Sequence, residues 1–254
     1  MRGDAPLRPE RLVGSSEDLE QLRVGLDALS GLAVGRLSLE ETLTAVATFA
    51  VQAIPGADGA GLTLREADRA DVVVATSAFV REVDDVQHEF GHGPCLTAMS
   101  EQRVVRIGSL GSDEQWRRFG SRVARMGVHS VLALPLVTAE GALGALNVYA
   151  HAKQAFDERA AHLGQLFAVP AAVAVQNAQV LARATRLAEQ LQRTLDERSG
   201  VERAVGIMMA RSGHAREDAL DRLRKLSQAG HVKMSVMAER VVDEAVRAAR
   251  ARRP

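Results

Sequence analysis

Aromatic side chains make up only 3% of this 254-residue chain, and none occurs from residue 193 onward. That last quarter therefore cannot offer a platform for stacking successive single-stranded bases, because such platforms need ring faces. Cysteine occurs once, as Cys95. A single thiol builds no internal disulfide framework and suits a reducing compartment. Long apolar runs are missing as well: no stretch reaches the roughly 18 consecutive apolar residues of a membrane span. The opening MRGDAPLRPERLVGSSEDL has no apolar core between its charges, so no secretory signal is expected. The expected location is the cytoplasm. The chain also lacks a Walker-type phosphate loop, a GxSxG elbow and the acidic pair with strand-end Asp that a phosphoreceiver domain requires, which directs attention away from nucleotide hydrolysis, acyl transfer and phosphorelay.

Net charge is absent overall, with 32 Lys and Arg against 32 Asp and Glu, but its distribution is uneven. From residue 193 onward there are 14 basic and 9 acidic residues, a balance of +5, while the remainder carries 18 against 23. A basic tail on an acidic body fits a polyanionic partner for the tail alone. An ordinary solvated helix surface would carry the same letters. The length allows one or two domains with cores of their own.

Residues 1–15, with two prolines and scattered charges, predict a disordered arm. Helical spacing begins after Ser16, where Leu19, Leu22, Leu26 and Leu29 share a side. A second helix follows Ser38, whose partner Glu41 three residues on spells a capping box, and Pro55 and Gly56 end it. Short runs bounded by turns then predict strands over 60–64, 72–76, 104–107, 130–136 and 143–149, the last two joined by a hairpin-like loop. Small helices are expected over 94–100 and 114–126, and another from Asp157 as its N-cap. This order predicts an α+β domain with an antiparallel sheet and helices packed at one side.

The connecting segment has two heptad series. Val173, Val180, Leu187, Thr194, Val201 and Met208 form a mostly apolar set; Asn177, Ala184, Leu191, Arg198 and Val205 form a mixed one. Together they predict a two-stranded coiled coil of about 50 Å, with Val173, Val180, Leu187 and Leu191 as its dimer seam. A helix packed on its own domain is the alternative. Pro170 should kink its start, and Ser199 with Gly200 should weaken its end. Three apolar stripes follow: Val201, Val205 and Met208; Ala219, Leu220, Leu223 and Leu226; Met237, Val241, Ala245 and Ala248. Gly213 and Gly230 separate them, and helices so joined bury one another as a small bundle. Arg211, Arg216, Arg222, Arg224, Lys225 and Lys233 lie outside the stripes and make a basic face.

The string Arg198, Val201, Glu202, Ala204, Gly206, Ile207, Met208, Met209, with Ala219, Leu223, Arg224, Ser227 and Ala238, resembles the ANTAR family of RNA-binding antitermination domains. It departs from the pattern at Val205, where Lys is usual, at Leu220, where an aromatic residue is usual, and at His214 and Ala215, which replace a polar helix cap. The run Gly91, Gly93, Pro94, Cys95, Leu96, followed by Val104 to Ile107, GVHSVLALPLV, GALGALNVY and AFDERA, resembles GAF sensor domains and covers about residues 38 to 178. The expected organisation is a disordered arm (1–15), a GAF-like sensor with N-terminal helices (16–178), a coiled-coil linker helix (179–200) and an ANTAR-like RNA-binding bundle (201–254).

Three other constellations carry chemistry in principle. HEFGH places His88, Glu89 and His92 in the spacing of a zinc-protease motif, which needs one continuous helix and a third ligand. Gly91, Gly93 and Pro94 argue against that helix, so a surface loop is expected and no metal site is assigned. Cys95 with the two histidines could form a reactive thiol, but among Pro, Leu, Ala and Met it reads as a small buried hydrophobe. Asn147, Lys153, Phe156, Asp157 and Glu158 resemble the NKFDE signature of nucleotide-binding GAF domains, and a capped helix start explains the same letters. No cofactor is expected, and a small-molecule effector of the sensor is left open.

The resemblance to ANTAR domains implies binding of paired RNA hairpins in nascent transcripts and prevention of terminator formation by a homodimer, not an enzyme. Arg203, Arg211, Arg224, Lys225 and Lys233 are the expected phosphate or base contacts, with Ser227 as a polar partner. The alternative is a DNA-binding transcriptional regulator that uses the last two helices as a helix-turn-helix, with Ser235 onward as recognition helix.

Overall fold

A computed structural model describes residues 16–32, 37–65, 72–213 and 215–251. The expected arm at 1–15 and the cap position His214 lie outside the described residues. The chain forms two compact units, Met1–Ala182 and Arg183–Pro254.

The first unit begins with α1 (Ser16–Leu32) and α2 (Leu39–Ala53). β1 (Gly59–Leu64), β2 (Val72–Ala75), α3 (Ala78–Phe90), α4 (Pro94–Glu101) and β3 (Val105–Ile107) follow. A 3-10 turn at Leu110–Ser112, α5 (Arg117–Arg125), β4 (Ser130–Thr138) and β5 (Gly141–Ala150) lead to α6 (Glu158–Ser212), which continues into the second unit. The Ser38 capping box forms as read: its Oγ accepts from the Glu41 N–H, and the Glu41 carboxylate accepts from the Ser38 N–H at 2.8 Å. Asp157 caps α6, its Oδ1 accepting from the Ala160 N–H at 2.8 Å.

The five strands form one antiparallel sheet in the order β2-β1-β5-β4-β3. Its strands alternate between two apolar faces, as period-2 geometry requires. Leu62, Leu132, Leu134, Leu146 and Val148 pack in one core with α1, α2 and the start of α6. Val131, Ala133, Ala145 and Tyr149 face a second core built with α3, α4 and α5. Helices therefore cover both faces, not one side as expected. The near-continuous apolar letters of Ser130 to Leu136 belong to a strand buried on both faces.

A second correction concerns α3. The expected loop around HEFGH is helical through Phe90, and Val80, Val83 and Val86 are its buried face. Gly91 ends the helix at φ 65°, the left-handed cap that glycine adopts freely. The Gly and Pro letters mark where the helix stops; they do not prevent it.

α6 runs unbroken for 55 residues through Pro170 and through Ser199 and Gly200. Phe167, Ala171 and Val175 belong to the first core, and Ala204 and Val205 to the last. Between Arg183 and Ser199 only Arg186 is even partly buried.

In the second unit, the end of α6 packs with α7 (Arg216–Ala229) and α8 (Met234–Ala251). Ala204, Val205, Ala219, Leu223 and Ala238 are buried, and the core is small. Leu226 departs from its expected place: it is 41% exposed, and Ala248 is exposed as well. Gly213 stops α6 at φ 70°, its N–H donating to the Met209 carbonyl at 2.8 Å. Ala215 stands at the N-cap of α7 with no side-chain cap bond.

Candidate functional site

Under α3 the sheet presents polar groups instead of hydrocarbon. β1 contributes Thr63, β5 Asn147 and Tyr149, α3 Asp84 and Gln87, and α4 Cys95, all buried. The Tyr149 hydroxyl donates to Asp84 Oδ1 at 2.7 Å, and the Cys95 N–H donates to Gln87 Oε1 at 3.0 Å. Thr63 Oγ1, Asp84 Oδ2, Gln87 Nε2 and both amide atoms of Asn147 are buried without a partner. Each such atom costs on the order of 1–3 kcal/mol when left unpaired. A cluster of them in one core is a site with hydrogen-bonding capacity unspent. Gly61 makes room for it, because a side chain there would overlap the Asp84 carboxylate.

Burial governs the electrostatics of this cluster. It pushes the Asp84 carboxyl up to about 6 against the opposing pull of the Tyr149 hydroxyl and of His88. It likewise raises Tyr149 and pushes the Cys95 thiol up to about 11. Cys95 is 1% exposed, so it is a buried thiol at neutral pH and not an activated nucleophile. His88 sits in the last turn of α3 with Nδ1 2.8 Å from the Asp84 carbonyl, while His92 lies beyond left-handed Gly91. The two histidines of HEFGH therefore do not share a helix turn. Among the described residues no three His, Cys, Asp or Glu side chains converge as a metal-binding group. Asn147 is in the polar cluster, whereas Lys153 is exposed, Phe156 is in the opposite core and Asp157 caps α6.

In the bundle, Arg203, Arg224, Lys225 and Lys233 are exposed, as is Arg211. Arg224 pairs with Asp221 at 2.7 Å within α7, and Arg211 lies 3.6 Å from Glu244 of α8. Ser227 is partly buried, and its hydroxyl donates to the Val232 carbonyl at 2.7 Å, closing the α7–α8 connection. Lys233 lines a cleft of about 400 Å³ together with Arg198 and Val201. Arg211 lines a different cleft with Arg222. The five expected cations are thus all on the surface, and two of them, Lys233 and Arg211, line different clefts. Arg198 and Arg222 line these clefts and were not among the expected contacts. Their signals in the sequence were the place of Arg198 in the ANTAR-like string and that of Arg222 on the basic face.

The seam residues Val173, Val180, Leu187 and Leu191 are exposed by 51%, 57%, 57% and 56%. They lie on one helix, α6, which from Arg183 to Ser199 is exposed at every position but Arg186 among the described residues.

Comparison with known proteins gives this architecture its place. Residues 36–176 match the GAF domain and residues 189–242 the ANTAR domain. The chain belongs to the GAF domain family. With its ANTAR domain it is a signal-regulated GAF and ANTAR regulator. The GAF domain of an Acinetobacter phosphoenolpyruvate-protein phosphotransferase has the same fold, with 14% identity, 67% of this chain and 99% of that chain covered, and a TM-score of 0.51. The GAF domain of a phosphoenolpyruvate-protein phosphotransferase from Coxiella burnetii is similar at 14% identity, with 65% and 98% covered and a TM-score of 0.48. A free methionine-R-sulfoxide reductase from Neisseria meningitidis, solved with its substrate, is similar at 16% identity, with 66% and 95% covered and a TM-score of 0.46. No curated protein matches the chain.

Proposed function

We propose that this GAF and ANTAR regulator is a cytoplasmic, homodimeric RNA-binding antiterminator. The ANTAR bundle binds hairpins in nascent transcripts and keeps a terminator from forming, and the GAF domain controls it. The observation that carries the reading is the ANTAR match over a bundle whose cations Arg203, Arg224, Lys225 and Lys233 all face solvent. Phosphate contacts supply affinity there, and polar groups read a folded RNA shape, since the bundle has no Phe, Tyr or Trp to stack on. Ser227, whose hydroxyl is already donating, keeps only acceptor capacity for RNA.

The exposed stripe of α6 supports a parallel two-stranded coiled coil with Val173, Val180, Leu187 and Leu191 at its seam. The middle of α6 has little packing along its length, and a second copy would cover its exposed leucines. Asn177 in the mixed series is the kind of polar seam residue that fixes register. The unpartnered polar atoms beside Asp84 and Asn147 support a small polar effector of the sensor, which acts by changing how the two output bundles of the dimer are held.

A competition assay tests the nucleic-acid reading against the helix-turn-helix alternative. Labelled hairpin RNA bound to the full chain should be displaced by unlabelled hairpin RNA and not by duplex DNA. Displacement by duplex DNA at equal concentration would reject the RNA reading.

A further inference from the structure

The unspent capacity under α3 carries a charge. Asp84 is 1% exposed; its Oδ1 accepts from the Tyr149 hydroxyl at 2.7 Å, while its Oδ2 has no donor. With its carboxyl pushed up only to about 6, Asp84 is mostly ionised at neutral pH. Buried charges are paired or coordinate a cation, because an unpaired one gives up its hydration without compensation. Among the described residues Asp84 has no ion pair. His88, one turn further along α3, is exposed and turns Nδ1 to the Asp84 main-chain carbonyl at 2.8 Å. The other titratable neighbours are Asp85 on α3, Tyr149 of β5 and Cys95 of α4, and none of them supplies a positive charge.

The neighbouring atoms say what kind of cation fits. Gly61 and Asn147 are partners in the β1–β5 register, and the Asp84 carboxylate lies over Gly61, where a side chain would overlap it. Thr63, two residues along β1, points to the same face. Asn147 is close enough to act on both the Asp84 carboxyl and the Cys95 thiol, and Thr63 on the thiol, so these groups surround one spot. Asp84 Oδ2, Asn147 Oδ1 and Thr63 Oγ1 are three buried acceptors without a donor. A primary ammonium group brings three N–H donors and a single positive charge, which answers all three acceptors and the carboxylate together. A divalent metal would leave net positive charge buried beside one carboxylate. Gln87 Nε2 and Asn147 Nδ2 remain as buried donors, open to an oxygen acceptor on the same ligand. We infer that the cluster is a subsite for a small primary amine, with its ammonium on Asp84, Asn147 and Thr63 and an oxygen of the same molecule on Gln87. The inference rests on the reading of a small polar effector and names its chemical class.

The test uses the full chain with methylammonium chloride and L-alanine as probes. At about pH 7.5 each should raise the melting temperature of the sensor, by roughly 5 °C or more at a hundredfold excess over its dissociation constant. Each should also shift the ultraviolet absorbance of Tyr149, the chain's one tyrosine, through its bond to Asp84. Tetramethylammonium, which has the charge but no N–H, should do neither. Apparent affinity should fall roughly tenfold at about pH 5, where Asp84 keeps its own proton. Asp84→Asn should abolish both signals, and Thr63→Val, which removes one acceptor and keeps the shape, should weaken affinity about tenfold. Signals of equal size in Asp84→Asn, or from tetramethylammonium, overturn the amine subsite. A raised melting temperature with acetamide or acetate and none with the two amines overturns the amine class and keeps the polar-effector reading. No change with any of these four compounds overturns both.

Discussion

Asp84 shows most clearly how single residues set this protein's properties. Its carboxyl is pushed up to about 6 by burial among Tyr149, Cys95 and Asn147, with His88 and Asp85 nearby on α3. A carboxyl raised in the folded state contributes stability that is complete below its ordinary value of 3.8 and is lost as pH rises through 6. The stability of the sensor should therefore fall between about pH 4 and pH 7, by up to about 3 kcal/mol from this group at 1.36 kcal/mol per pKa unit. Urea titrations at the two pH values check this, and in Asp84→Asn the difference should largely disappear. Ser227 makes the opposite kind of case. Its letter in the ANTAR string suggests a ligand contact, while its hydroxyl bonds Val232 across the α7–α8 connection. Ser227→Ala should lower the melting point of the bundle, with a loss of about 1 kcal/mol, even without RNA. An unchanged melting point would return Ser227 to the interface alone.

At the scale of elements, some features were legible because their determinants are local. The Ser38–Glu41 box, the stop at Gly213 and the hairpin of β4 and β5 each depend on a few neighbouring letters, and each stands where it was read. α3 was not legible, because its face is interrupted by buried Asp84 and Gln87, whose partners are Tyr149 of the distant β5 and the Cys95 N–H of α4. The polar cluster was missed for the same reason: Thr63, Asp84 and Asn147 meet only once the sheet is formed. Leu226 was placed in the core by its period, and the bundle, too small to bury it, leaves it lining a cleft. α7 still lacks a side-chain cap at Ala215. Ala215→Asp should stabilise the bundle by about 1 kcal/mol, measured as a raised denaturation midpoint. No change would mean that the entry to α7 cannot take cap geometry.

The whole molecule joins an anionic sensor, a long helix with an exposed apolar stripe and a cationic bundle. Leu187→Lys with Leu191→Lys should give a monomer by sedimentation, with each bundle still folded and with hairpin RNA bound more weakly. Equal affinity in the monomer would detach dimerisation from RNA binding. Affinity should also fall steeply with salt, and Lys225→Ala should reduce the slope of log K against log salt by roughly 1 if Lys225 neutralises one phosphate. The central claim is tested most directly by crosslinking the full chain in cells and sequencing the nucleic acid that remains bound. The account predicts RNA segments that fold as hairpins just ahead of transcription terminators. Recovery of duplex DNA from promoters, or of no nucleic acid above background, would contradict it.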